Sequence, residues 1–253
     1  MKEPKLSDRL SAVVKLAEPE PAGPRPYGLV CDIGCDHGWI AITLILRSLA
    51  KEVIASDVRE GPLQRAGEHV LQYGLSDRIE TVLAGGFAHI TPGRIPDCGI
   101  IAGMGGYLIT DILKDAQMRG VLPGRLVLQP QNGWEVVRTF LPQAGYVITR
   151  EDMVYEGGKY YTVMLAERRG ESCGPEIGSP GTGEIPAGED EKIFALYGRK
   201  LLTGRHPVLK KYLQTEKDKL TGIAERLPAS SGDLKQIEDK LQGIDRALAY
   251  WGD

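Results

Sequence analysis

The chain has 253 residues, 42% of them hydrophobic and 26% charged, the balance of a soluble globular protein and not of a disordered or membrane-spanning one. A formal net charge of −3 excludes a generally basic nucleic-acid binder, so any polyanion contact must come from a local patch. The cysteines Cys31, Cys35, Cys98 and Cys173 include no C-x-x-C, and no His pair follows to complete a zinc site, so no metal is expected and they read as thiols of a reducing compartment.

The opening residues, Met1 to Leu10, are charged and lack the apolar core of a secretory signal. Leu6, Leu10, Val13, Val14 and Ala17 then recur at helical spacing behind a Ser7 cap, and Pro19, Pro21, Pro24 and Pro26 end that helix. From residue 29 short Val- and Ile-rich runs alternate with helical stretches. The runs are Leu29–Ile33, Val53–Ser56, Ile79–Leu83, Gly99–Ala102 and Leu126–Leu128; the helices are Gly38–Leu49, Pro62–Tyr73, Leu108–Lys114 and Trp134–Gln143. The apolar run Gly38–Ala50 is too short to cross a bilayer and carries Arg47, so a cytoplasmic protein with no membrane contact is expected. Alternation at this spacing predicts an α/β, Rossmann-like doubly wound sheet with helices on both faces.

Tyr146–Val154 and Tyr160–Glu167, joined by Glu156-Gly-Gly-Lys159, predict a β-hairpin that closes the sheet with an antiparallel strand. Residues 1–168 are thus expected to form one domain, the Gly- and Pro-rich stretch 169–190 a linker, and residues 191–253 a helical domain. Leu234, Ile237, Leu241, Ile244, Leu248 and Trp251 follow coiled-coil spacing. Leu209, Leu213, Leu220, Ile223 and Leu227 share the rhythm ahead of a turn at Pro228–Gly232. An antiparallel coiled-coil-like hairpin fits this pattern, and so does a helix pair packed on the first domain.

The segment LVCDIGCDHGW brings a strand carrying Asp32 into a turn of Gly34, Cys35, Asp36, His37 and Gly38. A dinucleotide site needs bare backbone N–H groups around a pyrophosphate, and hence glycines. Here the second glycine position is Asp36, whose carboxylate repels a diphosphate but tolerates a sulfonium or an ammonium. The motif therefore fits S-adenosyl-L-methionine better than NAD. Asp57, ending the second strand, has the acceptors to take two ribose hydroxyls. Ala102-Gly-Met104, at the end of the fourth strand, is either a cofactor-lining loop or a tight turn around a buried methionine.

The blocks DIGCDHGW, SDVREGP, IAGMGGYLITDIL and LVLQPQNG, with LSDRL and EDMVYEGGKYYTVMLAE, resemble the bacterial tRNA (adenine-22-N1)-methyltransferase family, TrmK. The likeness is close over residues 6–167 and looser over 190–227. It implies a class I S-adenosylmethionine-dependent methyltransferase domain followed by a coiled-coil-like helical domain, and a tRNA adenine N1 as the methyl acceptor. It also implies that Asp32, Gly34, Asp36 and His37 hold the methionyl part of the cofactor, Asp57 its ribose, and Ala102, Gly103 and Met104 the region of the transferable methyl. Three positions depart from the family pattern. Gly85-Gly86 stands where an Asp or Asn normally reads the cofactor adenine, leaving backbone N–H groups for that contact; Trp39 replaces a Tyr, and Gly38 an Ala.

Trp39 is a candidate to stack on the target base or, equally, a core residue of the following helix. Gln129 and Asn132 are candidates to hydrogen-bond the base edge, with helix capping as the alternative for Asn132. Arg199, Lys200, Arg205, Lys210 and Lys211 form an acid-free run that reads as a tRNA phosphate patch or as a solvated helix face. The competing functions are methylation of a small molecule or protein, and an RNA-binding module whose catalytic site has decayed. The oligomeric state is open, because a coiled-coil seam closes as well between chains as within one.

Overall fold

The computed structural model describes residues 2–18, 26–169, 189–228 and 232–252. Most of the expected linker (170–188), Cys173 and residues 229–231 of the expected turn lie outside the described residues. The chain divides into two compact units, Met1–Gly183 and Glu184–Asp253.

The β-branched runs of the first unit become β1 (Tyr27–Ile33), β2 (Ala50–Asp57), β3 (Ile79–Leu83), β4 (Cys98–Met104) and β5 (Arg125–Pro130), all parallel. The central strands β1, β4 and β5 are mostly buried because helices cover both faces of the sheet, whereas β3, at the edge, has three of its five residues exposed. On one face lie α1 (Asp8–Ala17), α2 (Trp39–Leu46) and α3 (Glu60–Gln72), through Val13, Val14, Ile42, Leu44, Ala66 and Val70. On the other lie α4 (Gly106–Met118) and α5 (Trp134–Gln143), through Ile109, Leu113, Val137 and Leu141. Ser7 caps α1 as expected, its side chain accepting from the Leu10 N–H at 3.4 Å. The α4 helix is longer than the expected Leu108–Lys114 at both ends: it starts at Gly106, which reads as loop, and runs on to Met118.

The hairpin strands are β6 (Tyr146–Glu156) and β7 (Lys159–Arg168), and β7 lies beside β5 so that the sheet order is β3-β2-β1-β4-β5-β7-β6. Gly157 and Gly158 turn the chain with φ of 56° and 81°, the paired positive values that match the twist of a two-residue hairpin. The α1 helix packs on β6 and β7, and the Asp8 N–H donates to Glu156 Oε1 at 2.7 Å.

The second unit is helical: α6 (Glu189–Tyr197), α7 (Arg199–Thr203), α8 (Pro207–Ala224) and α9 (Gly232–Leu248), then a single 3-10 turn, Ala249–Trp251. The α8 and α9 helices pack antiparallel. Lys217 on the first meets Asp245 on the second at 2.7 Å, and Trp251 Nε1 donates to the Arg205 carbonyl just ahead of α8. Leu209, Leu213 and Ile244 are buried there, whereas Ile223, towards the far end of α8, is 39% exposed. The described helices of neither unit include one long and apolar enough to cross a membrane.

Candidate active site

In this sheet the chain order reverses between β1 and β4, and open α/β folds bind ligands outside the strand ends at such a point. A cleft of about 700 Å³ opens there. Its wall brings together ten of the expected residues: Gly34, Asp36, His37, Trp39, Asp57, Gly85, Gly86, Ala102, Gly103 and Met104. Asp32, Gln129 and Asn132 are not on that wall.

The β1–α2 corner is a set of local turns. Gly34 has φ of 73°, and its N–H and that of Cys35 both donate to the Ser56 carbonyl, at 2.8 and 3.0 Å, which ties the corner to β2. A Cβ on Gly34 would meet only the end of the flexible Met104 side chain, so it is the positive φ that calls for glycine here. Asp36 takes the left-handed region with φ of 48°, a conformation that costs about 1–2 kcal/mol outside glycine and persists where surrounding structure enforces it. Burial pushes the Cys35 thiol well above its ordinary pKa, so it remains neutral.

Asp32 lies under this corner, 1% exposed. Gly38 at the N-cap of α2 is left-handed and offers no side chain; the Asp32 carboxylate instead accepts the Ala41 N–H of the first helical turn. Burial raises its pKa to about 7 against that hydrogen bond, and the charge of Asp57 adds to the rise. Asp32 Oδ2 is buried and has no hydrogen-bond partner among the described residues. Such an orphaned acceptor is a place for a cationic ligand group to act.

Asp57 is 3% exposed yet reaches the wall. Its Oδ1 accepts the Arg59 N–H at 2.9 Å and its Oδ2 accepts the Asp36 N–H at 3.4 Å. The two loops thus hold one carboxylate at the cleft wall, where Arg59 Nε also pairs with Oδ1 at 3.4 Å. Around Gly85 and Gly86 the wall carries Val58, Leu108 and Ile112, with Val58 67% and Leu108 53% exposed, and α4 adds Asp111 and Asp115. A Cβ on Gly86 would press on Ile112 Cγ2 at 3.0 Å, and its φ of 52° favours glycine as well.

The opposite wall is an interlock of two loops. The Gln131 N–H donates to the Met104 carbonyl at 2.8 Å and the Gly106 N–H to the Asn132 carbonyl at 3.0 Å. A Cβ on Gly106 would run into the Gly133 carbonyl, so the IAGMGG and LQPQNG blocks are sterically matched to each other. Gly103, with φ of 80°, interrupts the β4–β5 register and turns its N–H onto Gln129 Oε1 at 3.1 Å.

Gln129 therefore departs from its expected place at the edge of a bound base. It is fully buried; Oε1 also accepts from Arg9 Nη1 at 2.8 Å, and Nε2 donates to the Pro130 carbonyl at 3.2 Å. The cause is α1, which covers this end of β5 and sets Arg9 between Gln129 and the cleft. The capping alternative for Asn132 does not hold either, since the N-cap of α5 is Gly133 and no side chain caps it. Asn132 is exposed, with its Oδ1 against Gly105. Trp39 combines its two readings: it packs partly on the core, lines the cleft, and stacks on His69 at 4.0 Å between ring centroids with 20° between the planes. His69 is held in turn by a 2.9 Å contact from Nδ1 to the His37 carbonyl.

The sequence reading missed Arg9 and Gln131 on the wall, and also the apolar group Val58, Leu108 and Ile112. Arg9 did carry a signal: it is three residues after Leu6 and four before Val13, an arginine on the apolar stripe of α1.

The model of the tRNA (adenine(22)-N(1))-methyltransferase family, TrmK, matches residues 30–249. The chain belongs to the TrmK family. It is 35% identical over 167 residues to the tRNA (adenine(22)-N(1))-methyltransferase of Bacillus subtilis strain 168, a stretch that covers 66% of this chain and 67% of the relative. Among solved structures it is similar to the B. subtilis M1A22 tRNA methyltransferase TrmK, at 27% identity and a TM-score of 0.76 over 96% of this chain and 99% of that one. It is also similar to Streptococcus pneumoniae Sp1610 in complex with S-adenosyl-L-methionine, at 29% identity and a TM-score of 0.78 over 96% and 100% of the two chains.

In this TrmK chain the basic run of the helical unit is unevenly engaged. Arg199 pairs with Glu191 and lies 4.0 Å over the Phe194 ring, so much of its charge is spent within the unit. Lys200 is on α7, Arg205 in the turn before α8, and Lys210 and Lys211 on α8. Arg205 and Lys211 are exposed, Lys200 and Lys210 half-buried.

Proposed function

We infer that this chain is a tRNA (adenine(22)-N1)-methyltransferase that uses S-adenosyl-L-methionine. The observation that carries the reading is the Asp36–Asp57 corner at the strand-order reversal, facing the interlocked GMGG and QPQNG loops, in a chain of the TrmK family. Carboxylates beside an apolar slot suit a ligand that joins a cation to a purine nucleoside, and the orphaned Asp32 Oδ2 fits the same ligand. Asp36 and the turn Gly34–His37, with Asp32 behind them, would hold the methionyl group, Asp57 the ribose, and Val58, Leu108 and Ile112 with the backbone of Gly85–Gly86 the adenine. Ala102, Gly103 and Met104 would flank the methyl. When bound, the cofactor supplies an electrophilic methyl carried on a sulfonium.

Adenine N1 attacks with a lone pair that needs no deprotonation, so the protein's work is to position the base and to exclude water. The base has to leave its stack to enter the cleft. Trp39, steadied by His69, offers a stacking face, and Asn132 an amide for the base edge. The proton later lost from the exocyclic amine passes to solvent, so no general base is assigned. Lys200, Arg205, Lys210 and Lys211 supply phosphate contacts, and a tRNA substrate sets the enzyme in the cytoplasm.

The test is transfer of radiolabelled methyl to bulk tRNA, followed by nuclease digestion and mapping of the modified nucleoside. Label in 1-methyladenosine at position 22 is expected. Label elsewhere, or none with tRNA from cells lacking this modification, refutes the assignment.

A further inference from the structure

Arg9 is a guanidinium on the wall of a cleft otherwise suited to a cation, and its placement is built, not incidental. The α1 helix is fixed to the hairpin at its N-terminus by Glu156, the arginine lies 5.6 Å from the Tyr161 ring centroid, and Nη1 donates to Gln129 Oε1. Each of these partners is neutral or a backbone anchor. Among the described residues no carboxylate pairs with Arg9. A half-buried guanidinium balanced only by an amide dipole and a ring retains most of its donors and its whole charge. Gln129 is suited to hold it: fully buried, with both amide atoms engaged, it cannot turn away. Its single Oε1 orients the Arg9 guanidinium and the Gly103 N–H together, on the side where the acceptor would enter.

We propose that Arg9 is an oxyanion-binding residue of this cleft and that Gln129 is its positioning residue. The proposal rests on the methyltransferase reading and deepens it. Under that reading two oxyanions come to the site: the carboxylate of the methionyl group, and a phosphate beside the flipped nucleotide. Both match the fork of a guanidinium.

The experiment uses the full chain, titrated calorimetrically with S-adenosylmethionine and with decarboxylated S-adenosylmethionine, alongside KM and kcat for tRNA. A wild-type chain that binds neither compound overturns the methyltransferase reading and this proposal with it. If the wild type binds, Arg9→Ala decides. About tenfold weaker binding of S-adenosylmethionine with unchanged binding of the decarboxylated compound supports the proposal through the carboxylate. Unchanged binding of both with about a tenfold higher KM for tRNA supports it through a phosphate. Equal loss for both compounds, or no change in affinity and KM, overturns it. Arg9→Lys keeps the charge without the fork and should recover part of the loss. Gln129→Leu, which removes the acceptor at similar volume, should act in the same direction. Added to Arg9→Ala it should change the affected constant by less than about twofold, because residues acting through one another are not additive. Full additivity overturns the positioning role.

Discussion

On the β1–β2 side of the cleft, the polar groups are oriented by neighbours within one strand–helix–strand–helix stretch of chain. Asp57 is held by Arg59, two residues on, and by the turn that starts at Gly34; Asp32 caps the helix that its own strand leads into. On the β4–β5 side the groups come from far apart. Gln129 meets Arg9 across 120 residues, and the GMGG corner is shaped by the Gly133 carbonyl. The first side is a device that consecutive strands and helices of the chain specify. The second exists only once α1, β4 and β5 have packed, so its chemistry and its stability are coupled.

That contrast predicts different failures on the two sides. The largest effect is expected at Asp57: Asp57→Ala should weaken S-adenosylhomocysteine binding about a hundredfold in calorimetry while the far wall stays folded, since it removes the ribose acceptor and leaves two loop N–H groups unpaired. A loss of only a few-fold would remove Asp57 from the cofactor site. On the packed side, Gly106→Ala should cost about 2 kcal/mol in denaturant unfolding and lower turnover as well, because the new methyl meets a backbone carbonyl that cannot move alone. Wild-type stability with normal turnover would show that the two loops are not interlocked.

A smaller effect separates burial from function at Asp32. Its carboxyl titrates near 7 in the native state against an ordinary 3.8, so the native chain holds a proton that the unfolded chain releases between those values. Stability should therefore fall as pH rises through that window and level off above about 7. Asp32→Asn retains an acceptor for the Ala41 N–H and removes the titration. Its melting temperature should exceed the wild type by roughly 3 °C at about pH 8, and the difference should shrink at about pH 5. A constant offset at both pH values would contradict the buried-carboxyl account. Smallest is the helical unit, where Lys210→Ala with Lys211→Ala should flatten the salt dependence of tRNA affinity by about one log–log unit per contacting lysine. An unchanged slope would make this run a solvated helix face.

How much was legible follows the same division. The α5 helix (Trp134–Gln143) and the strand Ile79–Leu83 match the expected bounds end to end, the helix because its apolar period is also its buried face, the strand although Leu83 is 52% exposed. The β1–α2 turn was readable because glycine and aspartate declare a sharp corner and a charge preference in consecutive positions. Gln129 was found as a polar residue at a strand end, but its direct role at the base did not survive, because the helix that covers it lies at the other end of the domain. The order β5-β7-β6 was also hidden: a hairpin pattern declares that two strands pair, not which of them meets the sheet.

Sequence alone determined the alternation of strands and helices, the carboxylate in place of a phosphate-binding glycine, and the motif blocks that mark the family, because each is encoded within a few adjacent residues. Tertiary structure decided which of those residues face the cleft, that Arg9 joins them, and that Gln129 stands behind. Such facts depend on which distant surfaces become neighbours once apolar faces are buried, and no local pattern carries that information.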